Sequence, residues 1–298
     1  MQFISRCNLC GYNRSFKVGL RGRFNSRVNT VVCLRCGLVF EKLQMDENER
    51  KEFYSSKYHS IYSKTNVPDA DMGEKKSLER LAVLQKYVRI ENKKILEVGC
   101  ANGIFLKLCE ENGAQVLGIE PSDNYAKFAK EQFGLHIFTG TIETYRNSDY
   151  RSENMFDIIC LFHVLEHVSD PNFELQWFHK KLSSNGLLYL EVPNIFTLWR
   201  WFNQSPRKFL RPVHLFNFTW ATCNSFLKQN RFRVIAEDRK VPRRIRIIAA
   251  KSNLEDGDKC ETNNPFFIIL FFYLWPFIYS ITKVIRVTLA KTKRLIQF

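Results

Sequence analysis

The sequence predicts an α/β fold built on a doubly wound sheet, with a small cysteine-bearing module before it and a hydrophobic helical tail after it. Three observations carry that expectation. Residues 93–122, KKILEVGCANGIFLKLCEENGAQVLGIEPS, read as strand, glycine loop, helix and strand. Two C-x-x-C pairs fall in the first 45 residues, and residues 265–282 run for 18 positions without a charge.

The first of these organises the rest. Ile95, Leu96 and Val98 form a short apolar run that Gly99 to Gly103 breaks. Ile104, Phe105, Leu108 and Cys109 then recur as the apolar stripe of a helix that Gly113 ends. Val116, Leu117 and Ile119 give a second strand, which stops at Glu120 and Pro121. A parallel pair joined this way leaves loop amides and a helix N-terminus pointing at whatever binds above the strand ends. Glu120 stands where an acidic side chain accepts hydrogen bonds from ribose hydroxyls. The alternative is a glycine loop that merely turns.

A dinucleotide site wants G-x-G-x-x-G; this loop reads E-x-G-x-x-x-G, from Glu97 to Gly103. That form resembles the first motif of class I S-adenosylmethionine-dependent methyltransferases, which implies a seven-stranded Rossmann-like sheet and S-adenosyl-L-methionine as cofactor. The resemblance implies that Gly99 and Gly103 bring backbone to the cofactor, that Glu97 orients its amino-acid end and that Glu120 holds its ribose. Cys100, Pro121 and Phe162 complete the cofactor-binding positions, and Ile142 inherits the adenine side. Ala101 stands where that family most often has a glycine.

The length of 298 residues suits one α/β domain plus additions, and 45% hydrophobic content excludes wholesale disorder. The opening MQFISRCNLC has no apolar run of signal-peptide length. Nine cysteines, four spaced as metal ligands and the others scattered, suit a reducing compartment. The net charge of +15 is uneven: residues 1–45 carry eight bases against one acid, residues 46–195 carry 18 against 23, and residues 196–251 carry 13 against two. Basic flanks around an acidic centre suggest an anionic partner, whether a phosphate-bearing substrate, an anionic membrane surface or nucleic acid.

Cys7, Cys10, Cys33 and Cys36 in residues 1–45 form a zinc-ribbon-like module in which Zn2+ is structural, since all four tetrahedral positions are filled. Four incidental cysteines are the alternative. Residues 46–93 read as a helical linker, with Phe53, Tyr54, Tyr58 and Tyr62 at helical spacing and Leu78, Leu81, Leu84 and Val88 as a core stripe after Met72 and Gly73. By the resemblance, Tyr54 and Tyr58 help cover the cofactor. The methyltransferase domain is placed at 94–252: a helix at Tyr125–Phe133, strands at His136–Phe138 and Asp157–Phe162, a helix at Phe173–Leu182, a turn at Asn185 and Gly186, and a strand at Leu187–Val192. A substrate insertion at 193–220, a helix at Ala221–Gln229 and a closing strand pair follow.

Methyl transfer from a sulfonium is an in-line displacement, so the candidate catalytic groups lie beyond the fourth strand. His163, Glu166 and His167 sit there, on one helical turn, and His214 of the insertion closes the site from above. They act either as a general base or as ligands of a divalent metal that orients two substrate oxygens. The metal version draws on resemblance to ubiquinone-pathway and small-RNA O-methyltransferases, which have E-x-x-E-H where this chain has H-x-x-E-H. A plainer alternative is that Glu166 and His167 cap and pack a helix start.

The acceptor expected from similar bacterial surface-polysaccharide proteins is a sugar or lipid-linked glycan; the alternatives are a nucleic acid and a quinone-type small molecule. After a polar linker at 253–264, the tail at 265–298 reads as a bent, monotopic or re-entrant anchor. Its bases, Lys283, Arg286, Lys291, Lys293 and Arg294, would meet anionic lipid. The expected location is cytoplasmic, peripheral on the inner face of the cytoplasmic membrane.

Overall fold

The computed structural model describes all residues except 20, 59–60, 62–67, 69–70, 72, 149–154, 198–201, 203–204, 206–208, 253–261 and 297–298, and no side chain at 24, 287 or 289–296. Tyr62, Met72, most of the polar linker and the side chains of Lys291, Lys293 and Arg294 lie outside the described residues.

The expected seven-stranded sheet is present. Its parallel strands are β6 (Lys94–Val98), β7 (Gln115–Glu120), β8 (Ile137–Thr139), β9 (Phe156–Phe162) and β10 (Leu182–Pro193). With β12 (Phe232–Glu237) and β13 (Arg244–Lys251) the order is β12-β13-β10-β9-β6-β7-β8, and β13 is antiparallel to both neighbours. Helices α2 (Glu74–Leu84), α3 (Ile104–Glu111) and α4 (Asp123–Phe133) cover one face. Helices α5 (Ile142–Asn147), α6 (Pro171–Lys181) and α7 (Trp220–Gln229) cover the other. The near-continuous apolar run of β9 follows from being buried on both sides.

Several boundaries differ from expectation. Strand β10 begins at Leu182, with a register shift before Leu187 in place of a free turn at Asn185 and Gly186. Helix α2 starts at Glu74, because Gly73 takes φ 90° ahead of it, and its inner face is Ser77, Arg80, Leu81 and Leu84, while Leu78 is exposed. The reason lies across the interface: Arg80 meets a buried carboxylate, Glu191, so the helix turns its arginine inward. His163 and His167 do not share a helical turn, because His163 takes φ 64° at the end of β9 and α6 begins only at Pro171, capped by the Asp170 side chain.

The cysteine module is a layer of the molecule. Strands β2 (Ser15–Lys17), β3 (Thr30–Cys33) and β4 (Val39–Glu41) pair antiparallel, and the insertion adds β11 (Phe216–Asn217) to their edge. Alternation along a strand sends successive side chains to opposite faces. Val31, Leu38 and Phe40 therefore join the sheet's core, while Val32 and Val39 face a second cluster with the tail.

The tail is one helix, α8 (Pro265–Ile296), that continues through Pro276. Residues Pro265–Arg286 are long and apolar enough to cross a membrane by length and composition. Contrary to a tail with little core to enter, Ile268, Phe271, Phe272 and Trp275 are buried, at the i, i+3, i+4, i+7 spacing of one stripe. Proline removes one intrahelical donor, and the neighbouring Trp275 is held on all sides, so packing offsets the loss.

Candidate active site

The C-terminal ends of β6, β7, β8 and β9 open onto a cavity of about 230 Å³. Gly99, Glu120, Pro121, Ile142, Phe162, His163 and His167 line it, as do Tyr54 and Tyr58. Gly99 takes φ 70° and Gly103 φ 78°; a Cβ on Gly99 would meet Val164 at 2.8 Å, and one on Gly103 would meet Leu135 at 2.7 Å. Side chains are excluded at both positions. Glu120 does not wait empty-handed: one oxygen accepts from the Ala101 amide and the other from the Ser122 amide, each at 2.9 Å. A carboxylate offers about four lone-pair directions, so it holds the loop and keeps capacity for a ribose.

Glu97, Cys100 and Gly103 do not line the cavity. The Cys100 thiol turns into the core toward Gly118, and burial pushes its pKa up, so only its backbone is available to a ligand. Glu97 is buried, and its Oε2 has no hydrogen-bond partner among the described residues. Burial pushes its pKa up to about 8, against the pull of Arg80, so the carboxyl holds its proton at neutral pH. An orphaned buried carboxyl under a glycine loop fits a cofactor that brings a cation, such as the ammonium of S-adenosylmethionine.

A larger chamber of about 800 Å³ adjoins the first, and Tyr58, His163 and His167 line both. Glu166, His214, Phe209, Lys76 and Arg244 are among its other walls. Glu166, His167 and His214 are buried, and each places a ligand atom within 4.8 Å of the other two. His167 Nδ1 lies 2.8 Å from the Val213 carbonyl, which only accepts; the proton therefore sits on Nδ1 and Nε2 keeps its lone pair. The Tyr54 hydroxyl is 2.8 Å from the same Nδ1. Burial lowers the His167 pKa despite the nearby Glu166, which favours the neutral ring with its free lone pair on Nε2. Glu166 Oε2 has no hydrogen-bond partner among the described residues.

His163 stands apart from that trio. Its Nδ1 faces Glu166 at 3.3 Å and its Nε2 faces Glu191 at 3.1 Å, so both nitrogens are engaged by carboxylates. The ligand atoms that converge are those of Glu166, His167 and His214, so His163 stands outside that set, with each ring nitrogen turned to a carboxylate. Glu191 was not singled out from the sequence. It also accepts from Arg80 and from Arg246, both at 2.9 Å, and lies near Lys76 and Arg244. Burial pushes its pKa up, but the hydrogen bond from His163 and the charge of Arg80 outweigh this and hold it well below the carboxylate range. Arg50, paired to Glu143 at 2.9 Å on the cavity wall, was likewise missed.

In the cysteine module, Cys7 and Cys36 Sγ lie 3.6 Å apart and Cys10 and Cys33 Sγ 3.5 Å apart, with all four sulfurs within 4.8 Å. Tetrahedral coordination at the usual zinc–sulfur length sets edges of ~3.8 Å, so the group fits zinc.

A family model described as a methyltransferase domain matches residues 71–239. Among curated relatives, the ubiquinone biosynthesis O-methyltransferase of Nitrosospira multiformis is 35% identical over 98 residues, 31% of this chain and 39% of that protein. That of Actinobacillus pleuropneumoniae is 35% identical over 119 residues, 38% of this chain and 50% of that protein. The chain thus spans half or less of the length of these two relatives. The PH0226 protein of Pyrococcus horikoshii superposes with a TM-score of 0.51 at 15% identity, covering 66% of this chain and 99% of that one, and shares the fold.

Proposed function

Since the chain belongs to the methyltransferase-domain family, matched over residues 71–239, we propose that it transfers a methyl group from S-adenosylmethionine to a hydroxyl of a small-molecule acceptor. The observation that carries this is the pair of adjoining chambers that share Tyr58, His163 and His167 as a wall. When bound, S-adenosylmethionine supplies an electrophilic methyl on a sulfonium. Gly99 and Glu120, which line the smaller cavity, would hold it there, with Glu97 beneath the glycine loop toward its ammonium. The acceptor occupies the larger chamber, so its oxygen approaches across the shared wall. His167 Nε2 is placed to take the hydroxyl proton. Tyr54 and the Val213 carbonyl keep that imidazole in the productive tautomer.

The relatives' names, which speak of ubiquinone biosynthesis, support a quinone-type acceptor; they lend no support to the sugar or glycan expected from the sequence. A second version has Glu166, His167 and His214 hold a divalent cation, which would acidify the acceptor hydroxyl. The unpartnered Glu166 Oε2 beside the His167 lone pair favours it.

The test is methyl transfer from labelled S-adenosylmethionine to catechol-type quinone precursors, alongside sugar acceptors. Transfer to the phenolic hydroxyl, with His167→Ala lowering turnover about 100- to 10,000-fold at unchanged cofactor affinity, is the expected result. Loss of activity on chelation, restored by a divalent metal, selects the cation version; full activity after exhaustive chelation selects the lone base. Methylation of sugars alone would overturn the quinone-type reading.

A further inference from the structure

The C-terminal helix α8 has two faces with different fates. Its inner stripe, Ile268, Phe271, Phe272 and Trp275, covers the outer face of the cysteine module through Val32 and Val39. Its other side leaves Phe267, Tyr273, Phe277, Ile281, Val284 and Ile285 between 51% and 70% exposed, which is a continuous apolar surface along several turns. The insertion extends it. Phe202 is 43% exposed, and its carbonyl accepts from Thr282 Oγ1 at 3.0 Å and from Arg286 Nη2 at 2.6 Å, so it is tied alongside the helix.

Charge identifies the occupant. Residues 265–298 hold five bases and no acid, and all five follow the apolar stretch. We infer that this face docks on an anionic bilayer, lying in the interface with its apolar stripe in the acyl boundary and its bases on acidic headgroups. A transmembrane crossing is disfavoured by the inner stripe: to span, the helix would have to strip Trp275 and its neighbours from the ribbon and expose Val32 and Val39. Parallel pairing with a second copy would bring two sets of five cations together, with no acid on either helix to offset them, and antiparallel pairing would leave each basic end without a counter-charge from the other helix.

The docked helix also touches the acceptor side. The Phe209 ring lies 5.9 Å from the Trp275 ring and 6.4 Å from the His214 ring, and Phe209 lines the larger chamber. A bilayer under the outer face of α8 would therefore lie the width of that helix, about 10 Å, plus the Phe209 ring from the chamber wall, which keeps a lipid-borne acceptor near the chamber. This last consequence rests on the hydroxyl-acceptor reading above; the docking does not.

The experiment uses the full chain with vesicles of phosphatidylcholine alone and of phosphatidylcholine with phosphatidylglycerol. Cosedimentation with the anionic vesicles is expected, weakened by salt as a screened electrostatic attraction must be. Phe277→Glu, Ile281→Glu and Val284→Glu together should weaken it by about tenfold or more while cofactor affinity stays unchanged, since all three side chains face solvent. Wild-type protein that stays in the supernatant with both vesicles overturns the docking, as does a triple variant that binds equally well. A wild-type dimer that the triple variant dissolves, with no vesicle binding, assigns the face to a second copy instead. Methyl transfer to soluble acceptors is measured separately, so that failure of docking and failure of the reaction assignment remain distinct.

Discussion

Two glutamates in the same sheet, Glu191 in β10 and Glu97 in β6, are both buried, and their surroundings are opposite. Glu191 is surrounded by Arg80, Arg246, Arg244 and Lys76 and by the His163 ring, and is fully ionised. Glu97 has an oxygen with no partner among the described residues and keeps its proton at neutral pH. The fold satisfies the first charge from within. It leaves the second to be satisfied by what binds. On the function proposed above, that contrast separates a carboxylate that would position the His163 ring from one that would receive the cofactor, although both read in the sequence as a single acid inside an apolar strand.

The sharpest way to break the comparison is Glu191→Gln. Removing the shared carboxylate leaves Arg80 without its carboxylate partner and Arg246 with only Glu79 and Asp238, at a cost of about 3–5 kcal/mol. Chemical denaturation should show that loss, and turnover should fall as well because His163 loses its anchor. Wild-type stability should also fall in acid. The folded pKa of Glu191 is depressed, so its contribution is present above the ordinary value of 4.5 and is lost as pH drops below it. A Glu191→Gln protein as stable as wild type at neutral pH would show that the cations are satisfied some other way.

That glutamate also marks where sequence reading stopped. The glycine loop and the cysteine pairs are local patterns whose spacing states their geometry, so both are legible in the sequence. Glu191 meets Arg80 and Arg246 across 111 and 55 residues, and no spacing rule joins them. The one available signal was a lone acid in LLYLEVPN. The left-handed turn at His163 was hidden for the same reason: its backbone amide is held by the Glu191 carbonyl, a contact between strand ends. The docking of the tail depends on which face of β3 is left uncovered, and this follows from the ribbon's placement on the sheet rather than from the tail's own composition.

Glu97→Gln should behave in the opposite way. Its folded pKa is raised to about 8, so the wild-type protein is favoured below 4.5 and loses that contribution as pH rises to about 8. The glutamine variant should therefore match wild type below about pH 4.5, gain on it as pH rises, and hold its full advantage above about pH 8. Its affinity for S-adenosylmethionine should fall roughly ten- to a hundredfold, the worth of a charged hydrogen bond. If an ammonium ionises Glu97, binding at pH 7 releases about one proton. Calorimetry in buffers of different ionisation enthalpy reads this directly. Equal proton release by wild type and Glu97→Gln would show that the cofactor's cation lies elsewhere.

The smallest effect concerns Ala101, which stands between the two behaviours. Its backbone takes φ 49°, in the left-handed region that costs an alanine ~1 kcal/mol or more. Its amide donates to Glu120 Oε2 at 2.9 Å, so the strained conformation ties the glycine loop to the acid at the end of β7. Glycine adopts that conformation freely but loses more entropy on folding, about 0.5–1 kcal/mol. The two terms oppose each other, and Ala101→Gly should therefore shift stability by less than ~1 kcal/mol, in the stabilising direction where strain outweighs entropy. Cofactor affinity should change less than it does in Glu97→Gln, since no charge is gained or lost. A large loss of affinity in Ala101→Gly would mean that the methyl group itself packs against the ligand and that alanine is favoured here for contact.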